Sequence, residues 1–243
     1  MHINTITKKL NKVLKVKKYE DYSKNGLQVK ACTKINKIGF AVDACMDTFK
    51  LAKKNNINLL VVHHGIMWKE EKRDKVFKER VNYLRKNKIS LYASHLPLDL
   101  HPKYGNNIQL CNLLELSKIN RFGKYSRINI GYSGEFKKEI KFKNLVKKIN
   151  NKLNTKCNVF NFGKDKIKSI GIVSGGGSFA FEESLKFDCL LIGEASYKYY
   201  NLAKDHKHNI ILAGHYATET LGVRTLMDLF DIECKYIDNR VDM

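Results

Sequence analysis

"KIGFAVDACMDTFKLAKKNNINLLVVHH" (residues 37–64) decides the fold class. It opens with an apolar, β-prone run, "KIGFAV". A stretch of helical periodicity follows over 45–55, and then a second apolar run, "NLLVVH". Strand, helix and strand in that order make a βαβ unit. The pattern recurs outward from it. Further strand-like segments are "ISLYAS", "RINIGYSG", "KSIGIVS", "DCLLIG", "NIILAG" and "CKYID", with helical patterns at 75–87, 178–186, 196–207 and 217–230. This alternation predicts an α/β protein with substantially parallel sheet. The N-terminal apolar residues Ile3, Ile6, Leu10, Val13 and Leu14 fall at helical spacing. Lysines interrupt every run there that could serve as the core of a signal peptide. The weakest join is expected around "SKINRFGKYS" (117–126), with a soft boundary near residue 125 giving an N-terminal lobe 1–125 and a C-terminal lobe 126–243.

Composition narrows the function classes. No apolar stretch approaches the ~20 residues needed to span a membrane, and a cytoplasmic protein is expected. The six cysteines are scattered without a C-x-x-C pair, which predicts reduced, mostly buried thiols and no cysteine metal cluster. The formal charge of +21 invites a nucleic-acid partner, but 38 Lys against 7 Arg, with 23 Asn, matches AT-rich codon usage. Arginine, the bidentate phosphate ligand, is scarce, and the lysines form no single block. Nucleic acid is therefore not the expected partner.

The residues able to do chemistry sit where strands end. His63 and His64 close "NLLVVHH"; His95 follows "ISLYAS", with Asp99 four residues on; His215 follows "NIILAG", with Glu219 four residues on. Sites in α/β sheets gather beyond the carboxyl ends of strands, and imidazole with carboxylate is a transition-metal donor set. If "HYATETLGVRTLMDLF" opens a helix, His215 and Glu219 share one face of its first turn. Neighbouring residues in a regular strand point to opposite sides, so either one of His63 and His64 is structural or they serve different ions. His63, His64, Asp99, His215 and a bridging Glu219 exceed what one open zinc site requires and suit two ions. Taken singly, each has an ordinary alternative: a buried histidine satisfied by a carbonyl, or a turn-forming aspartate. His101, His206 and His208 read as surface or turn residues. Gly175, Gly176 and Gly177 in "IVSGGGSFAFEES" read either as a tight β–α turn or as a phosphate cradle, without the G-K-[ST] ending of a P-loop.

Five segments also carry a family resemblance: "YSKNGLQV" (22–29), "VVHHGIMWK" (61–69), "SHLPLDLHPKYGNNIQLCNLLEL" (94–116), "SGGGSFAFEES" (174–184) and "AGHYATETLGVRTLMDLF" (213–230). In this order they resemble the NIF-three-like family, in particular its bacterial YbgI branch, labelled GTP cyclohydrolase type 2 homologues. The resemblance implies two interlocking α/β lobes with mixed sheets and a metal site at strand ends between them. It further implies two divalent ions per chain (zinc, iron, manganese or cobalt) and a toroidal homohexamer. The family's ligands fall on His63, His64, Asp99, His215 and Glu219, with His95 beside them as an orienting residue. Where many relatives have "TGE" with a histidine soon after, "IGEASYKYY" keeps Glu194 as a candidate acid or base and offers tyrosines. The expected function is a metal-dependent hydrolase of a nucleotide-like or other small substrate. The alternative is a non-catalytic metal-binding or assembly protein.

Overall fold

The computed structural model describes residues 1–70 and 72–240. The chain forms two compact units, one from Met1–Tyr104 and Gly222–Asn239, the other from Gly105–Leu221 with Arg240. The path leaves the first unit at Tyr104 and returns to it at Gly222. The soft boundary near residue 125 falls instead in the turn of a hairpin. Ser117–Tyr125 (β5) pairs antiparallel with Ile128–Lys141 (β6), so the polar stretch 117–126 is a strand rather than a join. It is lysine-bearing and largely exposed because it is an edge strand, where charge discourages pairing with another chain.

The first unit holds a five-stranded sheet. Its strands are Gly26–Val29 (β1), Lys37–Asp43 (β2), Leu59–His64 (β3), Ser90–Ala93 (β4) and Glu233–Tyr236 (β11), in the order β1-β4-β3-β2-β11. β4, β3, β2 and β11 run parallel, and β1 is antiparallel at the edge. The apolar runs of β3 and β4 are buried throughout, as parallel strands covered on both faces must be. Ile3–Leu14 (α1) buries Ile3, Ile6, Leu10 and Leu14, the stripe expected from periodicity, while Val13 stays half-buried at its margin. Met46–Lys54 (α2) contributes Phe49 and Ala52 and Lys75–Lys86 (α3) contributes Leu84 to a core shared with Leu60, Val62 and Leu91. Asp74 caps α3, its carboxylate accepting from Phe77 N at 2.8 Å. A short helical turn, Leu96–Asp99 (α4), follows β4.

The second unit begins with Asn106–Leu113 (α5) and carries a six-stranded mixed sheet. After Phe142–Leu153 (α6) come Asn158–Asn161 (β7), Lys166–Val173 (β8), Phe181–Ser184 (α7), Cys189–Ile192 (β9), Lys198–Asp205 (α8) and Asn209–Leu212 (β10). The order is β5-β6-β8-β9-β10-β7, and β8, β9 and β10 are parallel neighbours. β9 shows why both faces are covered: Cys189 and Leu191 pack in one core with α6, Leu190 and Ile192 in another with Phe181. α6 buries Phe142, Leu145, Ile149 and Leu153 at helical spacing. His215–Thr225 (α9) follows β10. The six cysteines form no disulfide; Cys111 and Cys189 are buried, whereas Cys32, Cys45, Cys157 and Cys234 are half-buried, fewer than expected inside. Among the described residues no helix is long and apolar enough to cross a membrane.

Candidate metal centre

In the first unit, three parallel strands deliver polar side chains at their carboxyl ends. β3 ends on His63 and His64, β2 ends on Asp43 in register with His64, and β4 is followed by Ser94, His95 and α4 with Asp99. The ring centroids of His63 and His64 lie 4.5 Å apart, and His95 is 5.1 Å from His63 and 5.6 Å from His64. One ligand atom from each of these three imidazoles lies within 4.8 Å of the others, a grouping able to hold a metal ion. The separation expected from strand alternation is thus lost at the strand end, where Asp43 holds the His64 ring.

Each imidazole is anchored through Nδ1. His63 Nδ1 is 3.0 Å from Ser94 O, His64 Nδ1 is 2.8 Å from Asp43 Oδ1, and His95 Nδ1 is 2.9 Å from Asp21 Oδ1. An acceptor on Nδ1 fixes the tautomer, so Nε2 is the atom left to present a lone pair. Buried Asp99, 4% exposed, puts Oδ2 3.4 Å from His63 Nε2. Asp21 is itself held in a complete network: it accepts from Ser23 N, Asn25 Nδ2 and Leu96 N, while Asn25 Oδ1 accepts from His95 N. Burial raises its pKa, but the His95 bond and charge, Asn25 and Ser23 outweigh it, so the carboxyl falls below the ordinary range.

The second unit repeats the device. β8, β9 and β10 end in register at Val173, Ile192 and Leu212 and are followed by Gly175, Glu194 and His215. His215 is the first residue of α9, after Gly214 at φ +91°. Its Nε2 lies 3.2 Å from Glu219 Oε2 and its Nδ1 3.0 Å from Glu194 Oε1. Glu219 is 3% exposed. Burial alone lowers the His215 pKa; the hydrogen bonds and charges of Glu219 and Glu194 outweigh it and raise the imidazole to about 9. Two carboxylates converging on one half-buried ring therefore make a place that favours positive charge.

The glycine loop closes against this pair. Gly175 has φ +64°, and a Cβ there would lie 2.2 Å from Glu219 Oε1 and 3.0 Å from His215 Nε2. Its N–H donates to Thr218 Oγ1, Ser174 N donates to Asn107 Oδ1, and Gly177 N donates to Gly175 O. Those N–H groups are spent inside the fold, which favours the tight-turn reading over a phosphate cradle.

Of the five expected ligands, His63 and His64 close β3 and Asp99 ends α4 just after β4 in one unit, while His215 and Glu219 lie in α9 just after β10 in the other. His95, expected as an orienting residue beside the ligands, stands among the imidazoles and is grouped with His63 and His64 as able to hold a metal ion. Asp43 and Asp21 were missed. Asp43 carries the strand-end signal used for the others, at the close of "KIGFAVD"; Asp21 lies in a loop with no such mark. His208 lies in the turn between α8 and β10, but not at the surface: it is 5% exposed, with Nε2 3.1 Å from Ser184 Oγ and its ring 6.0 Å from that of Phe181.

Comparison with known proteins agrees with this architecture. Residues 1–243 match the family described as Duf34/NIF3 (NGG1p interacting factor 3). The "GTP cyclohydrolase 1 type 2 homolog" of Pyrococcus abyssi is 42% identical over 237 residues, covering 95% of each chain. The protein of that name from Pyrococcus horikoshii is 43% identical with the same coverage. Among solved structures, protein ybgI, titled as of unknown function, and TTHA1606 from Thermus thermophilus each superpose with a TM-score of 0.92 at 27% identity over the full length of both chains. The chain belongs to the Duf34/NIF3 (NGG1p interacting factor 3) family.

Proposed function

We propose that the chain is a dinuclear metal protein and a metal-dependent hydrolase of a nucleotide-like or other small substrate. The observation that carries this reading is the shared construction of the imidazoles. His63, His64, His95 and His215 each have Nδ1 on a carbonyl or carboxylate, and the buried carboxylates Asp99 and Glu219 each approach a histidine Nε2. Such backing is what metal-ligating histidines require. The donor set of nitrogen and oxygen fits zinc, iron, manganese or cobalt. On this reading His63, His64, Asp99, His215 and Glu219 would hold two ions.

When bound, such ions supply Lewis acidity toward a carbonyl or phosphoryl oxygen and make water acidic near neutral pH. The side chains do the rest. Asp43 and Asp21 keep His64 and His95 in one tautomer, and Glu194 holds the His215 ring through Nδ1. Glu194 is half exposed, so its carboxylate can also take a proton from the reacting centre. The relatives' name points to a purine nucleotide; the ligand chemistry itself asks only for an electrophilic carbon or phosphorus.

The test is elemental analysis of metal-saturated protein beside mass spectrometry of a nucleotide panel. About two ions per chain are expected, with one lost selectively in His64→Ala. A firm value of one or none refutes the dinuclear centre. Glu219→Gln should weaken metal binding and abolish turnover together; turnover that survives it, or survives chelation, arises elsewhere.

A further inference from the structure

Trp68 is the one tryptophan of the chain, and it stands at the edge of the imidazole cluster of the first unit. Its ring centroid is 5.1 Å from that of His95, edge-on at 74°, and 6.1 Å from that of His64. The residue is half-buried.

The ring is held rigidly. Its Nε1 donates to Gly65 O at 3.0 Å. Trp68 pairs antiparallel with Ser23, and the flanking bonds Lys24 N to Met67 O and Lys69 N to Tyr22 O lock both segments. Gln28 fastens the loop from below: its Oε1 accepts from Ile66 N and its Nε2 donates to Lys24 O. A Cβ at Gly65 would lie 2.3 Å from that amide, so the backbone rests directly on it.

With its N–H used internally, the indole offers no outward donor. What remains to a ligand is a fixed, partly solvated π surface, and little conformational entropy is left to lose on binding. Ser23, opposite Trp68 and therefore on the same face of the ladder, is 5% exposed, and its hydroxyl has no hydrogen-bond partner among the described residues. A buried hydroxyl in that condition calls for a polar atom from water or ligand.

The geometry points to Trp68 as the stacking wall for a planar heteroaromatic ring bound beside His64 and His95. This deepens the metal-hydrolase reading and rests on it: it selects nucleobase-bearing substrates over other small molecules. Trp68 is a binding residue on this account and takes no part in proton transfer.

The experiment uses the full chain loaded with zinc and two probes, guanosine 5′-monophosphate and ribose 5-phosphate, which lacks the base. Binding is read by calorimetry, and in wild type also by fluorescence of the sole tryptophan. Ribose 5-phosphate should bind at least about tenfold more weakly than the nucleotide, the size of one base–aromatic stack. Trp68→Leu should lose about the same factor for the nucleotide and nothing for ribose 5-phosphate. Trp68→Phe, which keeps a π face, should stay within a few-fold of wild type.

Equal affinity for the two probes, an unchanged Trp68→Leu, or no nucleotide binding overturns the stacking wall. The metal reading is scored separately by metal content and by quenching of Trp68 on adding Co2+. If no metal binds, the metal reading falls, and the same two-probe comparison on the metal-free chain still decides the role of Trp68.

Discussion

Replacing Gly175 by alanine adds one methyl group at the place where the second unit can least accept it. At φ +64° the left-handed backbone costs a non-glycine residue about 1–2 kcal/mol. The new Cβ would also sit 2.2 Å from Glu219 Oε1 and 3.0 Å from His215 Nε2, so the carboxylate must move. Glu219 is buried, so its carboxylate can yield only by displacing packed neighbours. Lost support for a single ligand typically lowers metal affinity about 10–100-fold. Displacing Glu219 and crowding His215 together should cost at least that much, alongside about 1–2 kcal/mol of stability. Gly176 is the internal control. A Cβ there meets nothing nearer than Glu194 Oε1 at 4.0 Å, and no left-handed φ constrains it. Gly176→Ala should therefore retain full metal content and equal or slightly higher stability. Both variants would be compared with wild type by zinc calorimetry and urea unfolding. If Gly175→Ala binds zinc as Gly176→Ala does, the loop does not shape the ligand pair and the steric reasoning fails.

Glu194→Gln should lower turnover about 10²–10⁴-fold while leaving metal content intact, if its carboxylate takes a proton; unchanged rate would leave it only the part of holding His215. Burial, opposed by Asp188 and aided by His206, lowers the His208 pKa to about 4. The folded state then binds fewer protons than the unfolded one near 6.5, so this contribution is complete above pH 6.5 and is lost as pH falls toward 4. The slope is about 1.4 kcal/mol per pH unit, and about 3 kcal/mol is at stake over the window. Urea midpoints measured from pH 7 to 4 should fall less steeply in His208→Gln than in wild type, and parallel curves would contradict the assignment. The toroidal homohexamer implied by the family resemblance predicts a closed oligomer by light scattering at micromolar concentration; a monomer would count against it.

Which features were legible in the sequence follows from which were local. The strands of "NLLVVH" and "DCLLIG" were readable because parallel strands buried on both faces are continuous apolar runs. α1 and α6 were readable because each buries a single stripe. β5 is not legible as a strand because an edge strand carries no core pattern: lysine, asparagine and arginine alternate with few apolar residues, and only pairing with β6 makes it a strand. α5 was passed over for a related reason, since it buries Asn106 and Asn107 alongside Leu110 and Cys111. Buried asparagines look like loop residues until their partners are seen; Asn107 Oδ1 accepts from Ser174 N beside the glycine loop.

The candidate histidines shared that visibility because each closes an apolar run, and a polar residue there has no packing role to explain it. Their backing did not. Asp21 is 74 residues from the His95 it holds and Asp43 is 21 from His64, so neither pairing has a periodicity. Gly175 shows the same limit from the opposite side. Its neighbours Gly176 and Gly177 make the run look like one flexible loop, yet the three positions face a carboxylate, an open space and the core in turn. Gly177 would drive a Cβ to 2.6 Å from Ile192 and 2.7 Å from Val173, whereas Gly175 touches Glu219. A strand end tells where a ligand can be placed; what holds it there comes from segments that only the fold brings near.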